Sequence, residues 1–150
     1  MSAMIPVKAV VQRRIEAAAE RVYEAWLKPE MIERWLFGPT VRDEEIVHLA
    51  VDPRVGGAFS FMVERGGETI EHLGKYLELD RPRRLVFTWM IAGSPLGSRV
   101  LVEIEDELPS SEVTVTHELH PTWAEHVGKM EASWRELLGN LARAVEPAPG

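Results

Sequence analysis

Hydrophobic positions along the chain change period twice. Val7, Ala9, Val11 and Ile15 alternate with Lys8, Gln12 and Arg14, which predicts a first strand over 7–15. From Glu16 to Leu27 the period lengthens, and Val22, Tyr23, Trp26 and Leu27 form a short apolar helical face. Pro29 restarts a second short helix through Met31, Ile32, Trp35 and Leu36, a position where a fixed φ and a missing N–H are tolerated. Ala18, Ala19 and Lys28 stand where capping side chains would be expected, so both helices depend on burial.

The period then returns to two. Strands are expected at 45–51, 58–64, 69–79, 83–91, 98–107 and 111–119, separated by Gly56-Gly57, Gly66-Gly67, the 80–82 turn, Gly93–Gly97 and the 108–111 turn. Connections this short join antiparallel neighbours, giving a seven-stranded antiparallel sheet. Val100, Val102 and Ile104 face one side, and Arg99, Glu103, Glu105 and Glu107 the other. By the same parity Phe59, Phe61 and Val63 share a face, as do Leu85, Phe87, Trp89 and Ile91, and Val113, Val115, His117 and Leu119. Last comes an amphipathic helix from Thr122 to Val145, about 36 Å long, with Val127, Met130, Trp134, Leu137, Leu138, Leu141 and Val145 in one stripe. Thr122 and Glu125 have the spacing of a capping box, Glu125–Lys129 and Glu131–Arg135 that of i,i+4 ion pairs, and Gly139 suggests close backbone approach.

The fold class is therefore α+β, a curved sheet wrapped around a long C-terminal helix, with two short helices between strands 1 and 2. One helix covers only part of a curling seven-stranded sheet. The remaining concave face is rich in rings (Trp35, Phe59, Phe61, Phe87, Trp89, Trp134), with polar tips from His72, Tyr76 and His117 and an adaptable Met130. Two readings stand: these side chains close into a dry core, or they line a hollow for a small hydrophobic or aromatic molecule.

Composition narrows the choices. The 150 residues, 45% hydrophobic, fit one domain over 1–150, with a frayed tail over 146–150. Net charge is −7 and the 17 Lys and Arg are scattered, so a nucleic-acid partner is not expected. No run near the N-terminus resembles a signal segment, and none reaches the ~20 apolar residues of a membrane helix, so neither export nor a membrane partner is expected. Cysteine is absent, which fits the cytoplasm and excludes thiolate chemistry. His117-Glu-Leu-His120 is one residue short of the helical zinc motif, and on a strand its histidines face opposite ways, so no metal is expected. No nucleophile elbow, phosphate loop or dinucleotide fingerprint occurs, and no cofactor is expected.

Several local patterns together carry a resemblance. They are Arg21–Trp26 with Pro29, Glu30 and Trp35; Asp52–Gly57 followed by Phe59 and Phe61; Gly74 with Leu85–Trp89; and Ser133-Trp134 with Leu138 and Leu141. Over roughly 10–145 the chain resembles bacterial single-domain members of the family named after the activator of Hsp90 ATPase, in the START-like, Bet v 1-like (SRPBCC) superfamily. It departs at Ala18-Ala19, where many relatives have proline, and at Ser133, where many have glycine. The resemblance implies the helix-grip fold without a shared catalytic constellation. Ligand binding in the cavity is the leading expectation. A cyclase, aldolase or hydrolase using His72, His117 or Tyr76 in that cavity is the alternative. A chaperone partner of the Hsp90 type, suggested only by the family's name, ranks lowest, and the sequence leaves homodimerisation open.

Overall fold

The computed structural model describes residues 6–94 and 97–146. Strand β1 (Val7–Ile15) leads into helices α1 (Ala19–Ala25) and α2 (Pro29–Trp35). Six strands follow: β2 (Glu45–Val51), β3 (Ala58–Arg65), β4 (Glu68–Asp80), β5 (Arg84–Ile91), β6 (Ser98–Glu107) and β7 (Ser110–Leu119). A 3-10 turn over Pro121–His126 then delivers the chain into α3 (Val127–Val145). The sheet is antiparallel throughout, in the order β1-β7-β6-β5-β4-β3-β2, so the first strand closes onto the last across the helical insertion.

The expected parity places the faces. Val100, Val102, Ile104, Val113, Val115, Phe59, Phe61, Val63, Leu85 and Phe87 are buried, while Glu103, Glu105 and Glu107 lie on the wet side. Arg84 bridges Glu103 there, and Arg99 bridges Glu118. Neither α1 nor α2 has a side-chain cap, and both are held by burial of Val22, Tyr23, Ile32 and Trp35. Helix α3 lies on β1 and against α1 and α2. Its flanks are tied down by Glu131 accepting from Val10 N–H (3.1 Å), Glu146 accepting from Glu16 N–H (2.9 Å), and Arg21 donating to the Val145 carbonyl (2.7 Å).

The long helix departs from expectation at its start. Residues 121–126 wind as a 3-10 turn, with His120 Nδ1 accepting from the Thr122 N–H (3.2 Å) and lying 2.9 Å from the Thr122 hydroxyl, and no capping box forms. Helix α3 therefore has 19 residues and is about 28 Å long rather than about 36 Å. Glu131 serves Val10 instead of pairing with Arg135, and no Glu125–Lys129 pair forms among the described residues. The expected fraying concerns residues 147–150, outside those described, whereas Glu146 itself is anchored. The tip of the 93–97 turn, residues 95 and 96, is also outside them.

Two glycines carry opposite constraints. Gly74 pairs with Phe59 across β3–β4, and a Cβ there would strike the Thr88 carbonyl and come within 2.6 Å of the Phe59 ring. Gly139, expected to mark close backbone approach, meets nothing nearer than Arg143 Nη1 at 3.7 Å. The same substitution should therefore have opposite signs at the two sites. Gly74→Ala is expected to destabilise by about 3 kcal/mol, the upper range for overpacking. Gly139→Ala should stabilise by about 0.5–1 kcal/mol through helix propensity. Urea denaturation midpoints check both, and equal shifts would contradict this packing.

Candidate functional site

Aromatic packing fills one part of the concave face and stops short of the rest. Trp26 lies 4.6 Å from Trp35, 5.9 Å from Trp134 and 6.3 Å from Phe87, and Phe59 lies 4.9 Å from Phe61 and 5.7 Å from Phe87. These rings close the space between Trp134, Phe61 and Phe87. Beside them a cavity of about 320 Å³ remains between β4–β7, the segment after α2, the 3-10 turn and the first half of α3. Trp89, Leu119, Met130, Trp134 and Leu137 form apolar walls, and the exposed side chains of Ile91 and Trp123 mark its mouth. A second depression of about 340 Å³, at Glu16–Ala18, Arg21, Pro109 and Val145, is shallower and carries no buried polar side chain.

One polar wall is locked. Trp134 Nε1 donates to His117 Nδ1 (3.2 Å), so that nitrogen is the acceptor and the proton resides on Nε2. Nε2 then donates to Ser98 Oγ (2.7 Å), and the Ser98 hydroxyl donates to the Trp89 carbonyl (3.0 Å). Burial pushes the His117 pKa down to about 4. Protonating Nδ1 would also set two donors against each other. The relay thus ties α3 to β7, β6 and β5 with a neutral imidazole.

The other polar wall is cationic. Gly38, at φ 110°, turns the chain out of α2 and donates its N–H to Glu44 (2.7 Å). Arg42 Nη1 reaches the same carboxylate (3.1 Å) and the Leu36 carbonyl (3.0 Å), with its guanidinium over the Phe37 ring at 5.6 Å. From β3, Arg65 grips the other carboxylate oxygen through Nε (3.0 Å) and Nη2 (2.6 Å). Burial alone would raise the Glu44 pKa, but the Gly38 N–H and the Arg65 and Arg42 guanidiniums outweigh it and hold the carboxyl below its usual range. Alongside stands His72, 4.6 Å from the Phe37 ring and 5.4 Å from Trp89. Its pKa is pushed down to about 4 by burial, against a hydrogen bond with the Phe61 backbone, and the positive charges of Arg65 and Arg42 act in the same downward sense. Its Nδ1 is buried without a partner.

The residues expected to line the hollow divide into two sets. His72, Trp89, His117, Met130 and Trp134 do line it. Trp35, Phe59, Phe61, Tyr76 and Phe87 are packed into the aromatic core and do not. Trp35 is consumed by a hydrogen bond to the Ala25 carbonyl (3.0 Å), and Tyr76, its pKa raised by burial, sits between Phe59 and Phe87. Of the three candidates for acid–base chemistry, His72 and His117 line the cavity and Tyr76 does not. Trp123 packs on His126 within its own turn (5.5 Å) and also borders the mouth. His120 also borders the cavity, because β7 ends at Leu119 and strand parity no longer applies. Both ring nitrogens of its neighbour His117 are already engaged.

Sequence reasoning missed Arg42, Arg65, Phe37 and Ser98. Parity could have found two of them, since Arg65 continues the inward series 59, 61, 63, and Ser98 precedes Val100 and Val102. Arg42 lies in irregular backbone with no period to read.

Comparison with known proteins gives the same architecture. The family described as activator of Hsp90 ATPase homolog 1-like protein matches residues 16–146, and the chain belongs to that family. A crystal structure from Chromobacterium violaceum is 25% identical with a TM-score of 0.80, covering 94% of this chain and 98% of that one. The solution structure of an AHSA1-like protein from Aeromonas hydrophila is 26% identical with a TM-score of 0.75, covering 93% and 92%. A crystal structure from Nitrosomonas europaea, 18% identical with a TM-score of 0.78 over 93% and 94%, shares the fold. No curated protein matches the chain. No described helix is long and apolar enough to cross a membrane.

Both buried histidines make stability depend on pH. Their folded pKa of about 4 lies below the ordinary 6.5, so the stability they contribute is intact above about pH 6.5 and is lost as pH falls toward 4. The loss is on the order of 3 kcal/mol per histidine once that window is crossed. A His72→Gln, His117→Gln double variant should show a flatter decline of melting temperature between pH 6.5 and 4 than the parent. Superimposable pH profiles would refute the assignment.

Proposed function

We propose that the protein holds a small hydrophobic or aromatic molecule in the cavity between the sheet and α3. One observation carries this reading. The concave face is packed ring against ring up to Trp134 and Phe87, yet beyond them Trp89, Met130, Leu119 and Leu137 wall about 320 Å³ that side chains do not occupy. Engineered apolar cavities of about 150 Å³ hold benzene, so this space suits a molecule of about two rings. Mostly apolar walls with a few convergent polar groups are the usual make-up of a small-molecule site. The family's fold commonly binds hydrophobic ligands, which agrees. The cysteine-free sequence supports a cytoplasmic setting.

Titration with the neutral fluorophore N-phenyl-1-naphthylamine tests the reading. Its emission should rise saturably at one equivalent of sites, with quenching of tryptophan fluorescence. Met130→Trp, which puts an indole into the space, should weaken binding at least about tenfold while leaving the circular dichroism spectrum unchanged. Absence of saturable binding to the parent protein, or undiminished binding to the filled variant, would reject the proposal.

A further inference from the structure

We infer that the guest is an organic monoanion, a carboxylic acid with an apolar body of about two rings, whose carboxylate is received by Arg42 and Arg65 beside the ring of His72. This deepens the binding reading above and rests on it.

The distribution of charge is the first ground. The chain carries 24 acidic and 17 basic residues, yet the described lining of the cavity holds two arginines and no Asp, Glu or Lys. Glu44 stands behind them and neutralises one of the two charges, which leaves one positive charge over at that end. A surplus of one matches a monoanion, whereas a phosphate dianion would bring an unbalanced second charge close to ionised Glu44.

Donor geometry is the second ground. Glu44 occupies Nη1 of Arg42 and both Nε and Nη2 of Arg65. Nε and Nη2 of Arg42 and Nη1 of Arg65 take no partner among the described residues. Planar guanidinium forks suit a planar carboxylate better than a point charge would. The carboxylate beneath orders both guanidiniums before any guest arrives, and Phe37 supports that of Arg42 from below, so little side-chain entropy remains to be lost on binding. His72 completes the end wall. It is 7% exposed, and its Nδ1 is buried without a partner. Its ring stands beside the arginines as a neutral wall. His117 offers no donor to a guest either, its nitrogens being committed to Trp134 and Ser98.

A matched pair of probes separates this inference from the simpler reading. 2-Naphthoate and 2-naphthamide share ring system and shape and differ in charge, and each is titrated calorimetrically into the full chain at neutral pH. Naphthoate should bind at least about tenfold tighter, the gain expected of charge-assisted hydrogen bonds, and added NaCl should erode that preference without weakening naphthamide. Arg65→Gln should reduce the naphthoate-over-naphthamide preference to less than about threefold. Should that variant fail to fold, the salt titration on the parent decides. Equal binding of the two probes, a preference for the amide, or a preference retained in Arg65→Gln overturns the anion assignment and leaves the cavity reading standing. If neither probe nor N-phenyl-1-naphthylamine binds, the cavity reading falls and this inference with it.

Discussion

A single α-helix is about 10 Å across, and a seven-stranded antiparallel sheet that curls around it presents more concave surface than the helix can touch. That mismatch governs the rest of the molecule. Helix α3 settles toward β1, and the area it leaves bare is shared between two short helices and a block of rings. Trp26 and Trp35, brought in by α1 and α2, complete the packing against Phe59, Phe61 and Phe87. The insertion between the first two strands is thus a plug for half of the concave face. The rest is covered by the 37–44 end of that insertion, the 3-10 turn and the first half of α3, which leave it unfilled.

The helix is fixed by hydrogen bonds at intervals along its length, and the most consequential runs through the interior. Trp134 donates to His117, His117 to Ser98, and Ser98 to the Trp89 carbonyl, so one chain of donors fixes α3 against three consecutive strands. Each member has its partner, which is the condition under which a buried polar network rigidifies a fold rather than weakening it. Further along, Glu131, Asn140 and Glu146 take or give bonds to Val10, Trp35 and Glu16. The hydrogen bonds described for residues 121–126, by contrast, are local ones to His120. The least anchored stretch of the helical cover is therefore the one that borders the cavity mouth.

Strand boundaries, sheet order and the inward face were legible because a period of two is a strong signal when one face is dry, and each of the strands from β2 to β7 is bounded by glycine or proline turns. The start of α3 was not, since a capping box at Thr122 and Glu125 is a local preference that the neighbouring His120 ring overrides. Membership of the lining set was half legible for a geometric reason. Parity assigns a side chain to the concave face but says nothing of what stands in front of it. Phe59, Phe61 and Phe87 face inward and are capped by Trp26, Phe37 and Tyr76, whereas Trp89 faces inward two residues later and is left free on the cavity side. Arg65 lay one residue beyond the strand end that the sequence suggested, and Glu44, which makes the arginine pair tolerable, belongs to no periodic element.

The polar groups around the cavity fall into two kinds, and the difference assigns them their roles. His117 and Ser98 have every strong donor and acceptor committed to protein partners, so a guest could engage them only by breaking a bond that holds α3 in place. Arg42 and Arg65 commit one side of each guanidinium to Glu44 and keep the remainder free of protein partners among the described residues. The two guanidinium side chains are 30% and 41% exposed, so water can meet those donors until a guest replaces it. Specificity follows from the same asymmetry. A neutral apolar molecule gains the ring walls alone, while an acid of the same shape gains the walls and satisfies donors that nothing else in the described structure satisfies.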